Sequence, residues 1–381
     1  MHRNPFSDAE LARRLDAVRR AAEARSLDAL ILSSPENVFY LTGLDHWGYF
    51  APHLLIVPLD RTPVLVTRAM ERIAVEAMVR NAAFHGHGDS ESAASVAAAS
   101  AGALGLAGKR IGIEAWSSGL SAGAAETLRA ALSARWTDAT GLVDDLRQVK
   151  SAEEQVFLRE AAAAADAGTE AAVAAAQAGA EEREVAAECL AAMTRAGGEP
   201  PGFGPFIRPR ARLEEEHTTW GRGRYAEDDA VFLEIAGCSA RYQAPNGRLA
   251  HLSEPPGGDR AVAAIAEEAY AAALDALRPG ARAREAYAAW QGVVDAHGLA
   301  HYRRHHCGYA VGIAFPPSWT GGPGVTGLRP DSDLEIRTGM SFHLMSWLMG
   351  CGRGDFFFSN TVLLTEEGPE TLTRTPVFPR G

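Results

Sequence analysis

The sequence predicts an α/β domain over residues 1–150, followed by an α+β domain over residues 151–381. Three observations carry this. Short apolar runs alternate with amphipathic stretches in the first 150 residues, the pattern of a mixed α/β layer structure. The pattern changes at Leu146-Arg147-Gln148-Val149-Lys150-Ser151. Beyond that point, four helix-length segments are separated and followed by strand-length apolar runs, as in helices packed on an antiparallel sheet.

The elements follow in order. Ala9 to Arg25 sets Leu11, Leu15, Val18 and Ala22 at helical spacing. Ala29-Leu30-Ile31-Leu32 reads as a buried strand closed by the turn residues Ser33-Ser34-Pro35-Glu36-Asn37. Leu54–Val57 and Pro63–Val66 flank Asp60-Arg61 as a hairpin, Met70–Val79 reads as a helix, and Arg110–Glu114 as a strand. Ser151 is a natural N-cap for a helix from Ala152 to Ala178, with Glu153 and Glu154 in its first turn. Further helices are predicted at Glu181–Arg195, Asp259–Leu277 and Arg282–His297. Strands are predicted at Ala230–Ile235, Gly339–Leu344 and Thr361–Leu364.

Composition narrows the function. With 47% hydrophobic and 22% charged residues, most of the chain has enough apolar content to fold. No run approaches the roughly 18 apolar residues of a membrane span, and the first ten residues lack the apolar core of a secretory signal. The expectation is a cytoplasmic protein without membrane association. A net charge of −11 repels phosphate backbones and argues against nucleic acid as a partner. Cys189, Cys238, Cys307 and Cys351 are far apart and form no Cys-x-x-Cys pair, so they read as inert thiols.

Candidate chemistry clusters in the second half. Glu234 sits in the apolar run Phe232-Leu233-Glu234-Ile235, where a carboxylate needs a partner, a proton, or an edge-strand position facing water. His217 follows Glu214-Glu215-Glu216, three acids that favour a charged imidazole; the alternative is a solvated loop histidine. Tyr309 lies between Gly308 and Gly312, where backbone can approach a ligand. His305 and His306, as neighbours on an extended chain, would point apart and make no metal-ligand pair. His343 shares a strand face with Met345 and reads as structural or catalytic. Arg248 suits a substrate carboxylate or a surface ion pair.

In their order along the chain, these segments resemble the creatinase/prolidase ("pita-bread") superfamily. The resemblance rests on Tyr40-Leu41-Thr42-Gly43, on Leu146 to Ser151 completed by Glu153 or Glu154, and on Gly308 to Gly312 followed by Phe315-Pro316-Pro317. It implies a creatinase-like α/β N-terminal domain and a pita-bread catalytic domain. Members that are metallopeptidases hold two metal ions with two Asp, one His and two Glu. The corresponding positions here are Glu234, the acid-free Pro245-Asn246-Gly247, Tyr309, Met345 and Ser359. Such a donor set cannot hold two hard cations. The chain therefore resembles the metal-free branch, and within it the ectoine hydrolases, through Trp47-Gly48-Tyr49, His217-Thr218-Thr219-Trp220, Arg241-Tyr242, Phe315 to Trp319 and Phe342-His343-Leu344-Met345. Departures are Asn360 for an acid, Gln243 for a His and Leu249 for a Thr.

The resemblance implies a hydrolase of a C–N bond, amide or amidine, in a small polar substrate, with no metal or other cofactor. Glu234 is expected as nucleophile or base, His217 as acid, and His343 as a third catalytic group. Tyr309, Arg248, Tyr242, Asn360 and Phe315 are the expected substrate-binding residues. A homodimer is implied, with Trp47 and Tyr49 of one subunit walling the other's site. Two other readings compete: a metal-dependent Xaa-Pro aminopeptidase or dipeptidase, and a non-catalytic pita-bread protein that binds a small molecule or peptide.

Overall fold

A computed structural model describes residues 3–379, and the chain separates into two compact units, Met1–Arg147 and Gln148–Gly381. In the first unit, strands β1 (Ala29–Leu32), β2 (Leu54–Pro58), β3 (Val64–Arg68), β4 (Ala83–His87), β5 (Arg110–Ile113) and β6 (Arg135–Asp138) form one sheet in the order β4-β3-β2-β1-β5-β6. The predicted β2–β3 hairpin is antiparallel, while β5 joins β1 in parallel. Six helices accompany the sheet: α1 (Asp8–Ala24), α2 (Pro35–Thr42), α3 (Arg72–Met78), α4 (Ala93–Ala103), α5 (Ala122–Ala131) and α6 (Leu142–Arg147). On α1, Leu11, Val18 and Ala22 are buried as their spacing requires, and Arg14 is buried with them. Its guanidinium is held by Glu10 at 2.7 Å and by the Tyr40 carbonyl at 2.9 Å. Gly43, at φ 71°, ends α2 in the left-handed conformation that glycine adopts without strain.

The second unit opens with α7 (Ala152–Ala175), capped reciprocally by Ser151 and Glu154. Helices α8 (Glu182–Arg195), α9 (Gly257–Ala276) and α10 (Ala283–Ala296) follow the sequence reading closely. The strands are β7 (Phe206–Pro209), β8 (Ala230–Ser239), β9 (Tyr242–His251), β10 (Gly308–Ala310), β11 (Ser341–Leu348), β12 (Phe356–Thr365) and β13 (Gly368–Thr371). They form one antiparallel sheet ordered β10-β11-β12-β9-β8-β7, with β13 beside β12. Helix α7 packs on β8 and β9, and α9 on β11 and β12. The close fit of α7 depends on small residues: a Cβ at Gly237 of β8 would lie 1.8 Å from the Ala161 carbonyl oxygen.

Two features differ from expectation. The strand carrying Glu234 is not an edge: β8 lies between β7 and β9, with Glu234 opposite Phe206 on one side and Gly247 on the other. Strand β9 itself runs straight through Pro245-Asn246-Gly247, residues that favour turns. The turn instead falls at Ala240 and Arg241, at φ 44° and 63°, positions with no glycine to announce it. All four cysteines are free and buried, and burial pushes the Cys189 and Cys307 thiols up to about 12. No helix among the described residues is long and apolar enough to cross a membrane.

The contact of α7 with β8 yields a stability test. Gly237→Ala should destabilise the protein by about 1–3 kcal/mol through overpacking. Gly292→Ala in α10, where an added Cβ meets nothing within 4 Å, should stabilise it by about 0.5–1 kcal/mol. Urea-denaturation midpoints of the full chain check both signs.

Candidate active site

A cavity of about 80 Å³ opens on one face of the second unit's sheet. Strand alternation determines what faces it. Strand β7 contributes Arg208, β8 Glu234, β10 Tyr309, and β11 Met345 and Trp347. The loop after β7 brings Glu216 and His217, and the segment before β10 brings Arg304, His305 and His306. Glu234 and His217, the expected base and acid, thus border the same cavity.

Glu234 enters the cavity from the interior strand β8. It retains slight solvent access, but protein surrounds it. Burial pushes its pKa up to about 7; the nearby Arg208 and Arg304 charges pull the other way, and Glu216 adds to the rise. Near neutral pH the group is therefore divided between acid and carboxylate. His217 lies at the exposed rim, edge-on to the Phe206 ring at 5.9 Å, with its backbone at φ 58°. A histidine in that conformation is held by its loop rather than by preference. The acidic run before it does not act as one cluster. Glu215 turns to Arg212 and Thr218, while Glu216 pairs with Arg304 at 2.9 Å. Burial opposes the Glu216 charge, but the Arg304 hydrogen bond and charge outweigh it and hold its pKa below the usual value.

The two guanidiniums stand on an aromatic block. Arg208 lies 3.8 Å from the Phe232 ring centroid, Arg304 lies 4.6 Å from that of Trp347, and the Phe232 and Trp347 centroids are 5.6 Å apart. His305 and His306 do not point apart. The chain bends there, their ring centroids are 4.2 Å apart, and both line the cavity. Burial lowers the pKa of each, to about 3 for His306.

The five positions that the resemblance assigns to the metal ligands of related peptidases lie on neighbouring strands of one sheet, and their chemistry does not fit two hard cations. Across the sheet, Glu234 pairs with Gly247, Gly247 with Ser359, and Ser359 with Met345. One carboxylate, one hydroxyl, one thioether and the Tyr309 phenol are not the donors of a dinuclear hard-cation site. Gly247 leaves no room for an acid either, since a Cβ there would meet the Phe357 ring and the Ser359 hydroxyl at 2.4 Å each. Among the described residues, no group of three or more His, Cys, Asp or Glu side chains is placed to hold a metal ion.

Several expected site residues lie elsewhere. His343 is fully buried behind the cavity wall, its Nδ1 hydrogen-bonded to the Tyr309 hydroxyl at 2.9 Å and its Nε2 to the Ser359 hydroxyl at 2.6 Å. Burial lowers its pKa to about 3, and with both ring nitrogens engaged and no place in the cavity lining, the expectation of a third catalytic group is corrected: His343 holds the Tyr309 and Ser359 hydroxyls. Tyr309 does reach the cavity, and its hydroxyl also accepts from Trp319 Nε1 at 2.8 Å. The expectation that Arg248 anchors a substrate carboxylate is likewise overturned. Its N–H donors go to the carbonyls of Gly247, Ser359, Thr375 and Pro376 and to Asn360 Oδ1. Those five contacts match the five donors of a guanidinium, so none is left for a ligand. Asn360 completes that buried network with Thr373 and Tyr270. Tyr242 donates to Glu154 at 2.7 Å and Phe315 lies under Arg241; neither lines the cavity. Trp47 and Tyr49 belong to the first unit, on a 3₁₀ turn, with Trp47 53% exposed. The residues the sequence reading missed are Arg208 and Arg304. Arg208 shows one signal, a cation two residues from Phe206 in the short run Phe206-Ile207-Arg208.

Residues 157–366 match the model of metallopeptidase family M24, and residues 14–149 that of the creatinase/prolidase N-terminal domain. The ectoine hydrolase of Halomonas elongata is 27% identical over 98% of this chain and 97% of its own length. An uncharacterised hydrolase/peptidase of Sinorhizobium fredii, y4tM, is 29% identical over 97% of each chain. The Xaa-Pro dipeptidase of Pyrococcus furiosus is 26% identical over 61% of this chain and 65% of its own. Among solved structures, dipeptidase PepE of Mycobacterium ulcerans superposes with a TM-score of 0.83 at 24% identity, covering 98% of both chains. Its similarity establishes the fold, which is the pita-bread architecture. With its catalytic unit matched over more than half of the sequence, the chain belongs to the M24 family of hydrolases and carries the creatinase/prolidase N-terminal domain.

Proposed function

We propose that this hydrolase cleaves a C–N bond, amide or amidine, in a small polar substrate without a metal ion. The observation that carries the reading is Glu234, whose pKa near 7 places a base matched to neutral pH in a cavity it shares with His217. In the proposed step Glu234 takes a proton from water, and the water oxygen bonds to the substrate carbon. The C–N bond then breaks as its electron pair and a proton from His217 go to the departing nitrogen. Glu234 subsequently returns its proton to His217 through solvent at the rim.

Tyr309 supports the developing negative charge. Its oxygen accepts from Trp319, and with His343 Nδ1 protonated it accepts from that nitrogen as well. The Tyr309 proton is then available to the substrate oxygen or nitrogen, which gives buried His343 its use. The ectoine hydrolase relative supports the substrate class. A homodimer in which Trp47 and Tyr49 of a second copy wall the site is part of the proposal, supported by the exposure of Trp47.

Three outcomes follow. Glu234→Gln should abolish turnover on a panel of cyclic amidines, guanidino acids and N-acyl amino acids read by mass spectrometry, with the fold intact by circular dichroism. Retained turnover would remove the mechanism. Activity should survive exhaustive chelation; stoichiometric bound metal, with loss of activity on its removal, would instead favour the Xaa-Pro peptidase reading.

The third outcome concerns pH. With Glu234 as base, kcat/KM should rise through a limb near pH 7. Stability should move oppositely. The folded-state pKa, about 7, exceeds the usual 4.5, so the folded protein keeps a proton the unfolded chain has lost. That contribution is complete below the unfolded value and disappears as pH rises through the folded one, a loss of about 3 kcal/mol at most. Glu234→Gln should flatten this slope in urea titrations at successive pH values.

A further inference from the structure

The first unit holds a cluster of imidazoles that the proposed reaction does not use. His46 lies against His53, ring centroids 4.7 Å apart, and His87 is close enough to His53 to oppose its charging. The Nε2 atoms of all three are buried and have no hydrogen-bond partner. His46 is the N-cap of the 3₁₀ turn Trp47–Phe50, and its Nδ1 accepts from the Gly48 backbone N–H at 2.8 Å. That bond uses the lone pair of Nδ1, so the ring is neutral with its proton on Nε2. A carboxylate oxygen of Glu71, at the end of the 3₁₀ turn Ala69–Glu71, lies 3.9 Å from the same Nδ1. Gly48 makes this crowding possible, since a Cβ there would meet the His46 ring at 2.4 Å and a Glu71 oxygen at 3.1 Å.

The two neighbours of Nδ1 ask for opposite protonation states. The Gly48 N–H needs a lone pair, whereas the Glu71 carboxylate needs an N–H to accept. We infer that His46 is a pH-operated latch: on taking a proton, its Nδ1 exchanges Gly48 for Glu71, and the turn that carries Trp47 is released. Without the cap, the turn keeps the bond from the Ala51 N–H to the Gly48 carbonyl, at 3.1 Å. Trp47 is 53% and Phe50 79% exposed, so their burial adds little to the hold. The titratable and charged groups facing the ring are Asp45, Glu71 and His53, with His87 facing His53 in turn. Burial lowers the His46 pKa, and Glu71 and Asp45 offset only part of this. Burial and the two neighbouring imidazoles push His53 down to about 3, so it stays neutral in mild acid and leaves the proton to His46.

The test labels the full chain with fluorotryptophan and follows Trp47 by fluorine NMR, its resonance being the one lost in Trp47→Phe. From about pH 8 to about pH 4.5 that resonance should pass through one transition, with its midpoint below the usual 6.5. His46→Asn should abolish the transition, because an amide oxygen caps the Gly48 N–H and takes up no proton. Glu71→Gln should lower the midpoint by about half a pH unit or more, since the protonated ring loses its anionic partner. A Trp47 resonance unchanged by pH, or a transition that persists in His46→Asn, would overturn the latch. If His46→Asn fails to fold, Glu71→Gln decides alone, and an unmoved midpoint there overturns it.

Discussion

A carboxyl group on an interior strand must be neutralised, protonated or balanced by charge, and the surroundings of Glu234 are set by that demand. Strand β8 is paired on both sides, so the side chain cannot turn to water as it could on an edge. The neighbouring positions give it no second acid and no imidazole: Gly247 stands beside it, Ser359 beyond, then Met345. What remains is the field of Arg208 and Arg304, too weak to offset burial and strong enough to keep the midpoint near neutrality. A carboxyl so poised exchanges protons at the pH where an enzyme works.

The same fold carries metal chemistry in related peptidases, and the changes here are coordinated. Glycine at 247 opens the space that the Phe357 ring fills, and that ring stacks on Phe232 at 4.9 Å. Phe232 in turn supports Arg208, and Trp347 supports Arg304. An aromatic block bearing two cations thus occupies the neighbourhood where carboxylates would gather around ions. Tyr309, at the former imidazole position, closes a chain of hydrogen bonds from Trp319 through His343 to Ser359. Burial keeps that chain neutral, which suits groups that orient hydrogen bonds and not groups that carry protons away.

Much of this was legible in the sequence. Helices α7 to α10 announced themselves by length, apolar period and caps, and Glu234 by being the one acid in an apolar run. His217 was singled out by the motif His217-Thr218-Thr219-Trp220, and it lines the same cavity as Glu234. Strand β9 was hidden, because Pro245-Asn246-Gly247 carries turn chemistry while the real turn uses Ala240 and Arg241 at positive φ. Arg248 and Arg208 illustrate the harder limit. Both are arginines next to short apolar segments, and nothing local tells which one has its donors filled by distant carbonyls. That depends on residues 375 and 376 returning beside β9, a long-range fact that no window of sequence contains. His305 and His306 were misjudged for a related reason: alternation holds on a strand, and the chain bends just before one.

The central claim is that Glu234 holds a proton up to neutral pH inside the cavity. Infrared difference spectroscopy of the wild-type protein against Glu234→Gln, from about pH 5 to about pH 9, observes that proton directly through the carboxylic acid C=O band. The account predicts a band present at the acid end that is replaced by carboxylate absorption with a midpoint near 7. A midpoint at the ordinary glutamate value near 4.5, with no acid band through the neutral range, would contradict it.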